Sequence, residues 1–360
     1  MHVTTLLVFI IAFIVSLVAV PSIIKVANEK SLFDKPSEDR KIHTRSTPNL
    51  GGVSIFLGFY FSVLTFRILC ESLELSALCA ASVLLFFVAL KDDLISTAPK
   101  IRLFYQFIIA LIIVLIGHVY FMNIPFFEAE NTISKVLNMT VTLVFIVAMI
   151  NAVNFIDGID GLAGAVCFFA LLAFSFVFYQ YGETSYSLIS IALAGSTLGF
   201  LLFNIHPAKI FMGDIGSMLL GVFLAVFAIK LSNLGELRLG LLPIKSPTTV
   251  AFALIIIPIM DMVTVILIRL YLKLSPFNAD NRHTHHRLLG LGFSQNSATL
   301  TLIAFNFLVV AIAFITASLN HLVGFLIVVA TATAFEVILI CIFLKREKKK
   351  LNGSAQCSPL

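Results

Sequence analysis

The chain has 360 residues, enough for two soluble domains, but 59% of them are hydrophobic and only 12% are charged, roughly half the share usual in a soluble protein. With a mean hydropathy of +1.05 it could not cover a water-facing surface, so it must use lipid as its solvent over most of its length. The net charge of +5 is too small to suggest nucleic-acid binding, and where the charges sit matters more than their sum.

Apolar stretches recur from end to end, and the sequence predicts an all-α, polytopic integral membrane protein. The stretches fall near 3–26, 52–69, 76–90, 102–121, 136–152, 162–180, 186–203, 213–231, 249–272, 299–319 and 321–344, which makes about eleven transmembrane helices. The third is short, rising only about 22 Å against a hydrocarbon core of about 30 Å. Continuous helical spans exclude a membrane β-barrel, whose strands would alternate over about ten residues. The run Val3–Ile24 lacks a basic leader and is long enough to span, so it reads as a retained first helix. The five cysteines show no paired spacing and imply neither a disulfide framework nor a zinc site.

Lysine and arginine set the expected orientation. With the N-terminus outside, 19 of the 24 basic residues fall on the inner side, and only Arg67, Lys135, Lys230, Arg238 and Lys245 fall outside. The C-terminus is then cytoplasmic. Residues 1–345 read as one transmembrane domain with cytoplasmic catalytic loops, and 346–360 as a basic tail suited to a lipid surface. The same orientation places every polar cluster of the chain on the cytoplasmic side.

In chain order, His43-Thr-Arg45-Ser-Thr-Pro48-Asn-Leu-Gly51-Gly52 lies in the basic first loop and is consistent with a turn before the second span. Lys91-Asp92-Asp93 closes the third span. Adjacent carboxylates repel unless a cation lies between them, and oxygen-rich pairs suit Mg²⁺, although a simple helix-end signal explains them as well. Between residues 151 and 164 lie Asn151, Asn154, Asp157, Gly158, Asp160, Gly161 and Gly164. A helix cap with turn glycines would account for one Asp and one Gly, not for this density. Phe203-Asn204-Ile-His206-Pro207-Ala-Lys209-Ile-Phe211-Met-Gly213-Asp214 offers a cation, an amide, an aromatic face and an acid at the start of the eighth span, where an N-cap is the plainer reading of Asp214. Pro258 and Asp261 sit within the ninth span, predicting a kink and a functional acid there. Asn278-Ala-Asp280-Asn281-Arg282-His283-Thr284-His285-His286-Arg287 packs three histidines and two arginines into six residues, a polyanion-binding surface.

Inner-face acids for Mg²⁺, cationic loops and a membrane setting together imply phosphoryl transfer from a nucleotide-activated donor to a lipid. The order Lys91-Asp92-Asp93, Asn154-Phe-Ile-Asp157-Gly-Ile-Asp160-Gly, Phe211-Met-Gly-Asp214-Ile-Gly-Ser and His283-Thr-His285-His286 resembles the polyprenyl-phosphate N-acetylhexosamine-1-phosphate transferases over residues 30 to 300. The resemblance implies that a UDP-HexNAc and undecaprenyl phosphate react, with Mg²⁺ or Mn²⁺, to give undecaprenyl-diphospho-sugar and UMP. This is the first membrane step of bacterial surface polysaccharides, at the cytoplasmic (inner) membrane. It further implies that Asp214 and Asp157 hold the metal and that Asp92, Asp93, Asp157 and Asp160 are active-site acids. Asn154, Asn204, Lys209, Phe211, Arg282, His283, His285 and His286 would bind nucleotide or diphosphate, with Phe211 stacking on uracil. The chain is more similar to the UDP-GlcNAc branch than to the phospho-MurNAc-pentapeptide branch, because Thr284 interrupts the histidine run and Asp261 replaces a Glu. Ser96 stands where some relatives carry a third acid. A dianionic lipid phosphate hardly needs a general base, which favours single displacement with Asp92 positioning it. A transporter would instead place acids deep in several spans, and only Asp261 and Glu336 lie so. The sequence is compatible with a homodimer.

Overall fold

The structure is a computed structural model and describes residues 2–30, 32, 47–68, 72–95, 97–124, 127–128, 132–239, 242–275 and 282–355. In hydrocarbon every backbone N–H and C=O must be satisfied within its own segment, and each expected apolar stretch is accordingly helical. The first half holds α1 (His2–Glu29), α2 (Gly51–Thr65), α3 (Leu73–Leu94), α4 (Pro99–Leu111, widening into a π-helical turn over Ile112–Ile116) and α5 (Thr132–Ile156). The second half holds α6 (Leu162–Gln180), α7 (Thr184–Asn204), α8 (Gly213–Ser232), α9 (Pro247–Leu254), α10 (Ile256–Tyr271), α11 (Thr284–Gly290), α12 (Gln295–Thr316) and α13 (His321–Ala355).

Among the described residues nine helices are long and apolar enough to cross a membrane, α9 and α10 pair as a further span bent by 71°, and α2 is a shorter apolar helix. The eleven expected stretches correspond to these nine helices, the bent pair and α2, with two corrections. The third is not short. Ser72 caps α3 by accepting from Leu75 N–H at 3.2 Å, and Lys91-Asp92-Asp93 continue the helix beyond the apolar run to a length of 22 residues. The short one is instead α2, an apolar helix of 15 residues. The ninth is broken rather than kinked. Pro258 in the first turn of α10 has no N–H to offer the carbonyl of Leu254, and α9 ends there. Two small antiparallel hairpins were not expected: β1 (Asn123–Ile124) with β2 (Phe127–Glu128), and β3 (Leu237–Leu239) with β4 (Leu242–Ile244).

At the centre stands α8, apolar on all sides and 89% buried over its spanning window, against 22% for α1 and for α13. Lys230 near one end of α8 lies 3.4 Å from Glu74 and 3.7 Å from Glu183, with its ammonium 4.8 Å from the Tyr186 ring centroid. Those contacts tie α8 to α3 and α7 at that end. The opposite end carries Asp214. Successive spans alternate in direction, so the α3–α4, α5–α6, α7–α8 and α10–α12 connections all emerge beside Asp214. The expected boundary at residue 345 falls inside α13, which runs without a break into the basic segment.

Candidate active site

The site assembles around the first turn of α8. A helix start leaves backbone N–H groups without partners, and the expected N-cap role for Asp214 falls instead to Asp93. Its two carboxylate oxygens accept from Asp214 N–H at 2.8 Å and Ile215 N–H at 3.1 Å. One member of the acidic pair thus holds the start of another span. The neighbouring Asp92 is buried and points elsewhere. Its Oδ1 accepts from both the N–H (2.6 Å) and the hydroxyl (2.5 Å) of Thr97, and its Oδ2 lies 3.2 Å from Arg102 Nε.

Asp214 is held by neighbouring donors. Asn154 Nδ2 donates to its Oδ1 at 2.6 Å and Arg102 donates to its Oδ2 at 3.2 Å, so the guanidinium bridges Asp92 and Asp214. Asp157 lies half-buried in the connection between α5 and α6. Burial pushes its carboxyl up to about 7, with repulsion from Asp214 and then Asp160 adding to the shift.

The loop ahead of α8 is locked by backbone bonds to the segment ahead of α2. Phe211 N–H donates to Pro48 at 2.8 Å, Gly51 N–H to Phe211 at 2.9 Å, and Gly52 N–H to Met212 at 2.7 Å. Pro48–Gly52, read as a turn, is therefore part of the site's frame, while His43 and Arg45 lie outside the described residues. Asn204 is buried with both ends of its amide engaged, accepting from Gly161 N–H at 3.1 Å and donating to the Ile210 carbonyl at 2.9 Å. Asp160 accepts from Ala208 N–H at 3.0 Å and lies 2.6 Å from His206 Nδ1, while its own N–H donates to Gln295 at 2.9 Å. Both residues clamp the Asp-Gly loop to the Phe211 loop. Phe211 is half-buried and Lys209 is exposed.

The histidine helix α11 closes the assembly. His283 Nδ1 pairs with Asp261 at 2.6 Å, and Thr284 N–H donates to the same carboxylate at 2.6 Å. The rings of His283 and His285 stack with centroids 5.5 Å apart, and His286 lies 4.3 Å from His285. His285 is buried and its ring seats against Gly158, where any Cβ would collide with Nε2. That nitrogen has no hydrogen-bond partner among the described residues, and burial holds the imidazole down at about 3, neutral at pH 7. Arg282 and His286 are half-buried beside it.

Asp92, Asp93, Asn154, Asp157, Asp214, His283 and His285 are therefore brought together, with Asp160 and Asn204 as the braces beneath. Arg102, Thr97, Gln295 and Glu336 were missed as site residues. The available signals were an arginine in the first turn of the span that follows the acidic pair, and a lone acid in the last span. Ser96, Asn278, Asp280 and Asn281 lie outside the described residues. Among the described residues no group of three or more His, Cys, Asp or Glu side chains is arranged to hold a metal ion. The acids that interact with Asp214, namely Asp92, Asp93 and Asp157, offer carboxylate oxygens, and Mg²⁺ usually binds through one or two carboxylates with substrate phosphates completing the shell, so the chemistry of these residues fits that ion.

A helical bundle of this apolar length, with its acids and histidines gathered at one end, is a multi-pass membrane protein. The sequence profile of glycosyl transferase family 4 matches residues 75–232. The undecaprenyl-phosphate alpha-N-acetylglucosaminyl 1-phosphate transferase of Escherichia coli (strain K12) is 32% identical over 351 residues, covering 93% of this chain and 92% of that one. The Yersinia pestis protein of the same name is 30% identical over 345 residues, covering 92% of each chain. A probable undecaprenyl-phosphate N-acetylglucosaminyl 1-phosphate transferase of Bacillus subtilis (strain 168) is 30% identical over 307 residues, covering 83% and 82%. The chain belongs to this family of undecaprenyl-phosphate N-acetylglucosaminyl 1-phosphate transferases.

Proposed function

We propose that this chain transfers GlcNAc-1-phosphate from UDP-GlcNAc to undecaprenyl phosphate, releasing UMP, at the cytoplasmic face of a bacterial inner membrane. The seating of His285 on Gly158 carries this reading, because it joins the cationic loop to the acid loop at one end of a membrane bundle. The relatives' names supply the donor sugar and the lipid acceptor.

The acceptor phosphate has a second pKa near 6 and is largely dianionic at neutral pH. The obstacle is repulsion between that dianion and the donor diphosphate. Asp214 and Asp157 would hold Mg²⁺, or Mn²⁺ in its place. The ion would neutralise the diphosphate charge. Arg102, a third exposed and already among the acids, lies where a phosphate can replace its contact with Asp214. Asp92 orients that guanidinium. Its carboxylate is so fully engaged that positioning fits it better than base catalysis. His283, His285 and His286 face the diphosphate from the opposite side, and Phe211 offers its ring to the base. No covalent intermediate is needed, and an in-line single displacement suffices.

The test is purified protein supplied with undecaprenyl phosphate, Mg²⁺ and a panel of UDP-sugars, scored by label moved into organic extract and by UMP released. UDP-GlcNAc is expected to be the preferred donor. Asp214→Asn is expected to insert normally and to lose transfer at every Mg²⁺ concentration. Wild-type turnover in that variant would dismiss the ligand assignment.

A further inference from the structure

Glu336 is a carboxylate buried in α13, about 13 Å along the helix from Lys345 at 1.5 Å per residue. No step above uses it. A charge at that depth persists only with partners, and those it finds belong to the histidine helix. Thr284 Oγ1 donates to Oε1 at 2.5 Å and Arg287 donates to Oε2 at 2.8 Å. Arg287 in turn donates to the carbonyl of Arg282 at 2.6 Å, closing the loop on itself.

The rest of the packed face of α13 follows the same helix. Val328, Ala332, Glu336 and Leu339 are buried, whereas Val337, Ile338, Ile342 and Leu344 are exposed to lipid. Further along that face, Phe343 packs so closely on α11 that a Cβ at Gly290 would sit 2.5 Å from its ring. A helix of seven residues has no stability of its own, so its rotation must be fixed from outside. Asp261 grips one side of the first turn through His283 and Thr284 N–H, and Glu336 grips the other through Thr284 Oγ1 and Arg287. His285 lies between Thr284 and Arg287 in sequence, so these two anchors set the direction of its ring toward Gly158.

We infer that Glu336 of the last span is a positioning residue for donor binding, acting through Thr284 and Arg287 to aim His285 at the diphosphate. The inference rests on the proposed role of the histidine helix in binding the UDP-sugar. It assigns α13 a part in the reaction through its bonds to the histidine helix.

The experiment uses full-length protein in lipid nanodiscs and measures the KM for UDP-GlcNAc and for undecaprenyl phosphate separately, with kcat normalised to folded protein. Glu336→Leu is expected to raise the donor KM on the order of tenfold, the size of effect seen when a carboxylate that orients a metal-ligating histidine is lost, and to leave the acceptor KM unchanged. Glu336→Gln, whose amide oxygen can still accept from Arg287 while its NH2 donates to Thr284 Oγ1, loses the charge and is expected to recover part of the loss. Thr284→Val, nearly isosteric and without a change of charge, reads the same contact if Glu336→Leu does not fold. Val337→Ala on the lipid face is expected to match wild type. A fall in kcat with both KM values unchanged, or a rise of both together, would reduce Glu336 to a structural brace and overturn the inference. If His285→Ala raises the donor KM and the Glu336 and Thr284 variants do not, the inference fails and the function stands. A wild-type donor KM in His285→Ala removes the site reading and the inference together.

Discussion

Asp157 and His285 meet across Gly158, and burial shifts them in opposite senses. The Asp157 carboxyl is held up at about 7 against an ordinary 3.8, so between those values the native chain holds a proton that the unfolded chain has lost. Falling pH then adds stability. The His285 imidazole is held down at about 3 against 6.5, so the unfolded chain protonates first and falling pH removes stability over that window. Each slope is at most about 1.4 kcal/mol per pH unit, and from 6.5 down to 3.8 they oppose one another. In metal-free buffer the thermal midpoint of the wild-type protein should change little from these two groups across that interval. Asp157→Asn should make it fall with acid and His285→Gln should make it rise, and parallel profiles in the two variants would refute the described environments. At this scale the types and order of the site residues are legible in the sequence, because acids and histidines between apolar runs have few other uses. Their individual roles are less so. Neighbouring residues on a helix point about 100° apart, so only one of Asp92 and Asp93 can face Arg102, and nothing in the pair says which. The same limit hid the two-ended clamp made by Asn204, since a side-chain amide reads equally well as ligand contact and as brace.

Among the helices, the closest approach that bears on the chemistry is between the starts of α2 and α8. A Cβ on Gly52 would run into the backbone of Gly216, one turn inside the helix whose first residues are Gly213 and Asp214. Gly52→Ala should wedge these ends apart at a cost of about 1–3 kcal/mol, the usual range for overpacking. Asp214 would move with them, and transfer should fall at least tenfold in protein that still inserts. Phe61→Ala on the lipid-facing side of α2 should leave transfer unchanged. Full activity in Gly52→Ala would show that the α2–α8 contact is not what places the acid. Composition makes Gly51-Gly52 visible as a turn but not as a contact, because the partner lies more than 150 residues further on. Element lengths fail for a related reason. Hydropathy ends α3 where the apolar run ends, while the helix itself continues through Lys91-Asp92-Asp93 until Asp92 has turned to take up Thr97. The break between α9 and α10 is legible at Pro258. Its 71° angle depends on what α10 packs against.

Across the whole molecule the number of spans and the side of the site are one question. Eleven crossings put the two termini on opposite faces of the membrane, and ten put them on the same face. The count turns on α2, with its 15 residues, and on the bent pair α9–α10. Two features favour full crossing. The connections that carry Asp92, Asp157, Asp214 and His285 lie at one end only if each of these segments crosses, and the bonds from Asp214 N–H to Asp93 and from Phe211 N–H to Pro48 require that common end. The sequence expects the same alternation, since eleven crossings place 19 of the 24 basic residues on one side, which the positive-inside rule makes the cytoplasmic one. A fluorescent protein fused after Leu360 should therefore fluoresce, and a cysteine introduced at Thr4 should react in intact spheroplasts with a maleimide that cannot cross the membrane. Both termini reporting the same compartment would remove one crossing. The acids and histidines could then share a face only by a different threading of the chain.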